Sequence, residues 1–443
     1  MAIRYLWIFL LVVGSLAQGT ELTGRVDAIV KEVMERDQVA GISVGIAKGG
    51  EVLLAKGYGY ADLENEVEAT EHTVYRIGSV TKQFTSVAIM MLVEQGKLRL
   101  DDKMTQFFPD YPTHGLTVTV DRLLNHTSGI KGYTEMPSFW EEARLDLSHE
   151  EMVELFSAVP FEFEPGDKYQ YNNSAYYLLG LIIEKVSGQE YAEFLEENLF
   201  EPAGLRETHY LYNAPIVKHR AEGYEVDDGT IVNDEPLSMR LPYAAGSLGS
   251  SVKDLLAWQK ALEEHKLLSK ESYDKMRTPA QLIDGSSTTY GYGLALGRLE
   301  GRTKIAHGGG INGFRAQLSH YPDDDLTVVV LCNSGSAHPD AYESRIARDA
   351  LDIPEKVVKP IELSEEELAS YVGVYDSGRS PLEVSIKDGM LTMAGYRLRP
   401  VGDHVFLPTV DDYSEIIFTV EDGKAVSVRM EREGHVTVAE KSK

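Results

Sequence analysis

The sequence predicts a mixed α/β (α+β) main domain followed by a small antiparallel β-barrel, and three observations carry that expectation. Strand patterns occur at both ends of the first 350 residues, and a mostly helical stretch lies between them. The helical stretch is introduced by a long apolar helix after Gly78. From about Ser364 the composition changes to short strands spaced near ten residues, with Asp-Gly turns at Asp388-Gly389 and Asp422-Gly423, which reads as a small barrel.

Taken in order, the chain opens with one charge at Arg4, an apolar run from Tyr5 to Val13, and small residues at Ser15 and Ala17. This predicts a signal peptide over residues 1–17 and a secreted or periplasmic protein. The run is short for a membrane-spanning helix, and an uncleaved anchor is the alternative reading. Leu22 to Gln38 reads as an amphipathic helix with Leu22, Val26, Ile29, Val30, Val33 and Met34 on one face. Gly41 to Lys48 and Glu51 to Tyr60 read as a hairpin turning at Gly49-Gly50.

Val80, Phe84, Val87, Ala88, Met91 and Leu92 then recur at helical spacing, which places Ser79 at the start of a buried helix. Lys82 is about one turn along the same face, so its amine reaches the Ser79 oxygen. A weak hydroxyl beside a lysine whose pKa burial lowers is an activated-nucleophile arrangement. Ser-x-x-Lys also occurs at Ser128, Ser250 and Ser272. Context separates them: Ser250 and Ser251 precede a capped helix, Ser128 lies in a turn and Ser272 on a short polar helix, so only Ser79 opens a long apolar one.

Between Leu98 and Phe200 the sequence reads as mostly helical. Glu164-Pro165-Gly166 leads into Tyr171-Asn172-Asn173 and a helix from Ser174 to Val186. Further strands are expected near Tyr290, at Thr303 to Ala306, Arg315 to Tyr321 and Leu326 to Leu331, with His307-Gly308-Gly309-Gly310 read as a glycine-rich turn that brings backbone N–H groups close to a ligand. Taken singly, Tyr171 and His307 also fit ordinary structural roles. No metal-ligand spacing such as His-Glu-x-x-His appears.

The formal net charge of -27 argues against nucleic acid or an anionic membrane surface as partners. The single cysteine, Cys332, excludes an internal disulfide, and its apolar surroundings predict a buried thiol.

Ser79-x-x-Lys82, Tyr171-x-Asn173 and His307-x-Gly309, in this order, resemble the serine β-lactamase and penicillin-binding-protein superfamily. The tyrosine of the middle motif is similar to the class C β-lactamase, D-aminopeptidase and family VIII esterase branch. The His126-Thr127-Ser128-Gly129 loop and Gly246 to Asp254 add to the likeness, which spans about Leu22 to Leu351. The resemblance implies an antiparallel sheet flanked by helices, of the β-lactamase/transpeptidase type, with a helical insertion. It implies an exported serine hydrolase that uses no cofactor or metal and acts on an ester, amide or peptide.

In that reading Ser79 is the nucleophile, Lys82 and Tyr171 move its proton, and Asn173, His307 and Gly309 bind or orient. The N–H groups of Ser79 and Gly310 form the oxyanion hole. His307 stands where many members carry lysine, which predicts weaker carboxylate recognition, with Arg315 as a substitute cation, and favours an esterase, amidase or aminopeptidase over a β-lactamase. The alternatives are a β-lactamase proper or a non-catalytic peptidoglycan- or peptide-binding protein. The expected division is residues 18–355 for the hydrolase domain and 356–443 for a lipocalin-like barrel.

Overall fold

The computed structural model describes residues 21–212, 214–377, 381–432 and 435–442; the signal peptide expected over 1–17 lies outside them. Helix α1 covers 21–37. Strands β1 (Gly41–Lys48) and β2 (Glu51–Asp62) form the hairpin read from the sequence, and both turn residues, Gly49 and Gly50, have positive φ. With β3 (Val67–Glu68), β4 (Ala295–Leu299), β5 (Arg302–Ile311), β6 (Phe314–Tyr321) and β7 (Leu326–Cys332) they make a seven-stranded sheet. Its order is β3-β2-β1-β7-β6-β5-β4.

Strands β1 and β7 pair antiparallel, Ile42 opposite Cys332 through Lys48 opposite Leu326, which joins the two ends of the main domain. All of β7 is buried. A strand in the middle of a sheet covered on both faces reads as a continuous apolar run, as Leu326 to Cys332 does, and not as an alternation.

The helical part is built on α2 (Thr81–Glu94) and α3 (Asn173–Ser187), both buried along most of their length. Phe84 of α2 stacks on Trp258 of α4 (Val252–Glu263) with ring centroids 3.9 Å apart. That core explains the weak amphipathicity of α2: a helix apolar all round is enclosed all round. No helix among the described residues is long and apolar enough to cross a membrane.

The chain divides into two compact units, Met1–Leu296 with Lys304–Ala347, and Gly297–Thr303 with Arg348–Lys443. The second contains a closed barrel of eight strands, from Gly373–Asp376 to His435–Lys441, the last pairing back on the first. Tyr375, Val384, Leu391, Leu398, Phe406, Phe418 and Val428 form its core. Both Asp-Gly pairs sit at hairpin turns with positive φ at each residue, the geometry a two-residue hairpin loop requires.

Candidate active site

Ser79 lies in a single 3-10 turn, Gly78–Val80, that runs straight into α2. The turn is tied to a neighbouring segment, because Ile77 N–H donates to Leu248 O (3.0 Å) and Leu248 N–H donates to Thr81 Oγ1 (3.1 Å). Ser79 is partly exposed, whereas Lys82 is wholly buried. The Lys82 Nζ lies 3.0 Å from Ser79 Oγ and donates to Asn173 Oδ1 and Ala245 O, each at 2.8 Å. All three partners are neutral oxygens. Burial with no carboxylate to compensate holds the lysine well below its ordinary pKa and so favours the neutral amine. A neutral amine has two N–H groups and one lone pair. With the N–H groups given to Asn173 and Ala245, the lone pair is left for the Ser79 hydroxyl.

Asn173 opens α3, whose cap is its neighbour: Asn172 Oδ1 accepts from Ala175 N (2.9 Å). The amide of Asn173 is oriented by Thr134, whose Oγ1 accepts from Nδ2 at 3.1 Å and so leaves Oδ1 toward Lys82. Tyr171 stands with its ring 4.8 Å from the Lys82 nitrogen and its hydroxyl buried without a hydrogen-bond partner. Burial pushes this phenol well above its ordinary pKa; Ser79 pulls it down in the other direction, from close by but short of full hydrogen-bond geometry. Tyr290 and Tyr176 pack near the same group, but their hydroxyls are engaged, Tyr290 with His307 and Tyr176 with Leu124 O. Of the three, Tyr171 alone keeps a hydroxyl uncommitted.

The glycine run is not a turn. Strand β5 continues through it to Ile311, with Gly308, Gly309 and Gly310 opposite Gln317, Ala316 and Arg315 of β6, since ladder pairing needs no side chains. What needs glycine is the approach to the Ser79 turn. A Cβ on Gly309 would meet Ile77 O at 1.9 Å and lie 3.2 Å from Ser79 N, and one on Gly78 would lie 2.9 Å from Gly310 N. The backbones that carry the two expected oxyanion donors are thus in direct contact.

Two expectations for this strand are corrected. His307 was expected to meet the substrate, but its side chain is 5% exposed and both ring nitrogens are engaged: Nδ1 donates to Gly308 O (2.6 Å) and Nε2 accepts from Tyr290 Oη (2.8 Å). Burial pushes its pKa down to about 3, so it is neutral and serves as a prop behind Tyr290. Arg315 lies opposite Gly310, on the sheet face away from Gly309 and the Ser79 turn, and its guanidinium donates to Ile311 O and Phe314 O. It is not a substitute cation for the site.

A Gly-x-Ser-x-Gly pentapeptide, Gly41 to Gly45, escapes a reading centred on Ser79. It lies within β1, not on a strand-to-helix elbow; Ser43 is fully buried and hydrogen-bonds Thr70 O (2.8 Å) and Tyr75 Oη (2.9 Å). Sequence reasoning also missed Ala245, Thr134 and Tyr290. Ala245 acts through its backbone, which leaves no side-chain signal, and the other two act at second hand.

With this geometry in view, the relatives can be placed. The beta-lactamase family matches residues 26–352. Penicillin-binding protein 4* of Bacillus subtilis (strain 168) is 30% identical over 349 residues, 73% of this chain and 75% of that protein. The octameric penicillin-binding protein homologue from Pyrococcus abyssi is 29% identical with a TM-score of 0.70, covering 94% of this chain and 99% of the other. The D-amino acid amidase from Ochrobactrum anthropi SV3, in complex with L-phenylalanine, is 26% identical with a TM-score of 0.64, covering 75% and 97%. The chain belongs to the beta-lactamase family and is a serine hydrolase.

Proposed function

We propose that this hydrolase cleaves an amide or ester of a small molecule or peptide through an acyl-enzyme on Ser79, in the manner of an amidase or peptidase more than a β-lactamase. The observation that carries the reading is the buried, carboxylate-free Lys82 with its amine 3.0 Å from Ser79 Oγ. As the Ser79 oxygen attacks the carbonyl carbon, its proton passes to the Lys82 lone pair. Tyr171, neutral because its pKa is raised, gives its own proton to the leaving nitrogen or oxygen and is refilled from Lys82. The N–H groups of Ser79 and Gly310 hold the oxyanion, each donor contributing about 10²–10³ in rate. In the second half, water attacks the acyl carbon and gives its proton to the Tyr171 oxygen as that group passes its own to Lys82, and Lys82 returns a proton to Ser79 Oγ as the acyl–oxygen bond breaks and the acid leaves.

The substrate class is supported by what surrounds the site. His307, neutral and fully engaged, and Arg315, on the far face, offer no cation to a β-lactam carboxylate. The D-amino acid amidase shares the fold over 97% of its own length, which favours amides. Export over a cleaved segment at 1–17 is part of the reading and rests on the sequence pattern; N-terminal sequencing of the mature protein tests it. A fluorophosphonate that labels Ser79, together with turnover of D- and L-aminoacyl amides, p-nitrophenyl esters and nitrocefin, tests the chemistry. Wild-type turnover in Ser79→Ala, or nitrocefin hydrolysed faster than any amide or ester, would overturn it.

A further inference from the structure

His126 belongs to a loop that the mechanism above leaves unused, yet it touches the segment that matters most. Its backbone carbonyl accepts from Gln170 N–H at 2.9 Å, and its ring Nδ1 accepts from Asn172 N–H at 3.1 Å. Those are the two residues on either side of Tyr171. Its ring also lies against the Tyr171 ring, centroids 4.3 Å apart and inclined at 42°. One residue thus holds the backbone before and after Tyr171 and one face of its side chain.

Two costs accompany this arrangement. His126 has φ of +60, a left-handed conformation that a non-glycine residue keeps only when its surroundings force it. Because Nδ1 accepts, the ring proton is on Nε2, which is buried and has no partner. The ring stays neutral, and Nδ1 therefore stays an acceptor, because burial holds its pKa well below the ordinary value. A strained backbone and an orphaned buried N–H signal a role other than stability.

We propose that His126 is a positioning residue that clamps Tyr171, through its Nδ1 acceptor on Asn172 and its carbonyl on Gln170, in the orientation that proton transfer at Ser79 needs. This rests on the role given to Tyr171 above. An ångström of misplacement at a reacting group costs up to ~10² in rate, so losing the acceptor lowers kcat without weakening binding.

The test uses the full-length enzyme, with kcat and KM for a p-nitrophenyl ester normalised to natively folded protein by near-ultraviolet circular dichroism. His126→Phe keeps an aromatic ring and removes the acceptor; it lowers kcat ~10–100-fold and leaves KM nearly unchanged. His126→Asn puts an amide oxygen near the Nδ1 position, tolerates the left-handed backbone, and restores most of kcat. In a Tyr171→Phe background His126→Phe has no further effect, because the group it positions is gone. Wild-type kcat in His126→Phe, equal losses in both single variants, or a double variant slower than Tyr171→Phe by the full His126→Phe factor each overturns the clamp. Wild-type kcat in Tyr171→Phe overturns instead the reading of Tyr171 beneath it.

Discussion

The starts of α2 and α4 share a Ser-x-x-Lys spacing and are built for opposite purposes. At α2, Lys82 is enclosed among neutral oxygens, and no side chain caps the helix. At α4, Ser251 caps by accepting from Asp254 N (3.2 Å), Ser250 Oγ is paired with Thr208 Oγ1 (2.8 Å), and Lys253 points into solvent. The carboxylate of Asp254 accepts from Glu207 N and Thr208 Oγ1. The difference lies in the surroundings. Burial without a carboxylate partner disfavours the charged form of a lysine, and an exposed side chain feels no such cost. Lys131, in a third copy of the pattern, pairs with Glu135 and Glu162 and has its pKa raised.

The largest effect that sharpens this contrast is at the serines. Ser79→Ala is expected to lower kcat by up to ~10⁶ and to abolish fluorophosphonate labelling, while Ser250→Ala leaves both intact. Because Ser79 caps nothing, its removal leaves the thermal midpoint unchanged. Steady-state kinetics with intact-mass analysis of the labelled proteins decides, and labelling that survives Ser79→Ala would break the comparison.

Next is Tyr171→Phe, which keeps the ring against His126 and Lys82 but deletes the uncommitted hydroxyl. The expected loss is ~10²–10⁴ in kcat, with KM little altered. In the wild type, the acid limb of the kcat/KM profile should lie well below the ordinary lysine range, since burial depresses the Lys82 pKa. A rate that climbs only toward pH 10 would show Lys82 to be charged in the resting enzyme.

His307 links the site to stability. Its folded pKa of about 3 lies below the unfolded value near ~6.5, so the unfolded chain binds the extra proton and stability falls as pH drops through that interval. About 2–3 kcal/mol should be lost from this group between pH 6.5 and 4.5, at about 1.4 kcal/mol per unit. Urea unfolding at both pH values measures the drop, and His307→Gln should flatten it. An identical slope in the variant would assign the acid sensitivity elsewhere.

The smallest effects belong to α4. Ser251→Ala should cost about 1 kcal/mol as a lost cap, and Lys253→Ala should stay within about 0.5 kcal/mol, neither changing kcat. Thermal melts and kinetics on both check this, and a loss of activity in either would deny the structural role given to that helix.

The sequence by itself determined the hairpin, the buried α2, the barrel strands with their Asp-Gly turns, and the three motifs that hold Ser79, Lys82, Tyr171 and Asn173. Each of these is written in local chemistry: glycines at turns, apolar spacing along a helix, side chains at fixed offsets. Tertiary structure alone decided that β1 pairs with β7 across nearly 300 residues, that the glycine run stays in the sheet, that His307 is buried with both ring nitrogens engaged, and that Arg315 lies on the other face of the sheet. It also decided which of the four lysines is enclosed without a carboxylate partner. Strand pairing, side-chain facing and the depth of a charge are set by which distant segments come to lie alongside, and no offset within the chain encodes that.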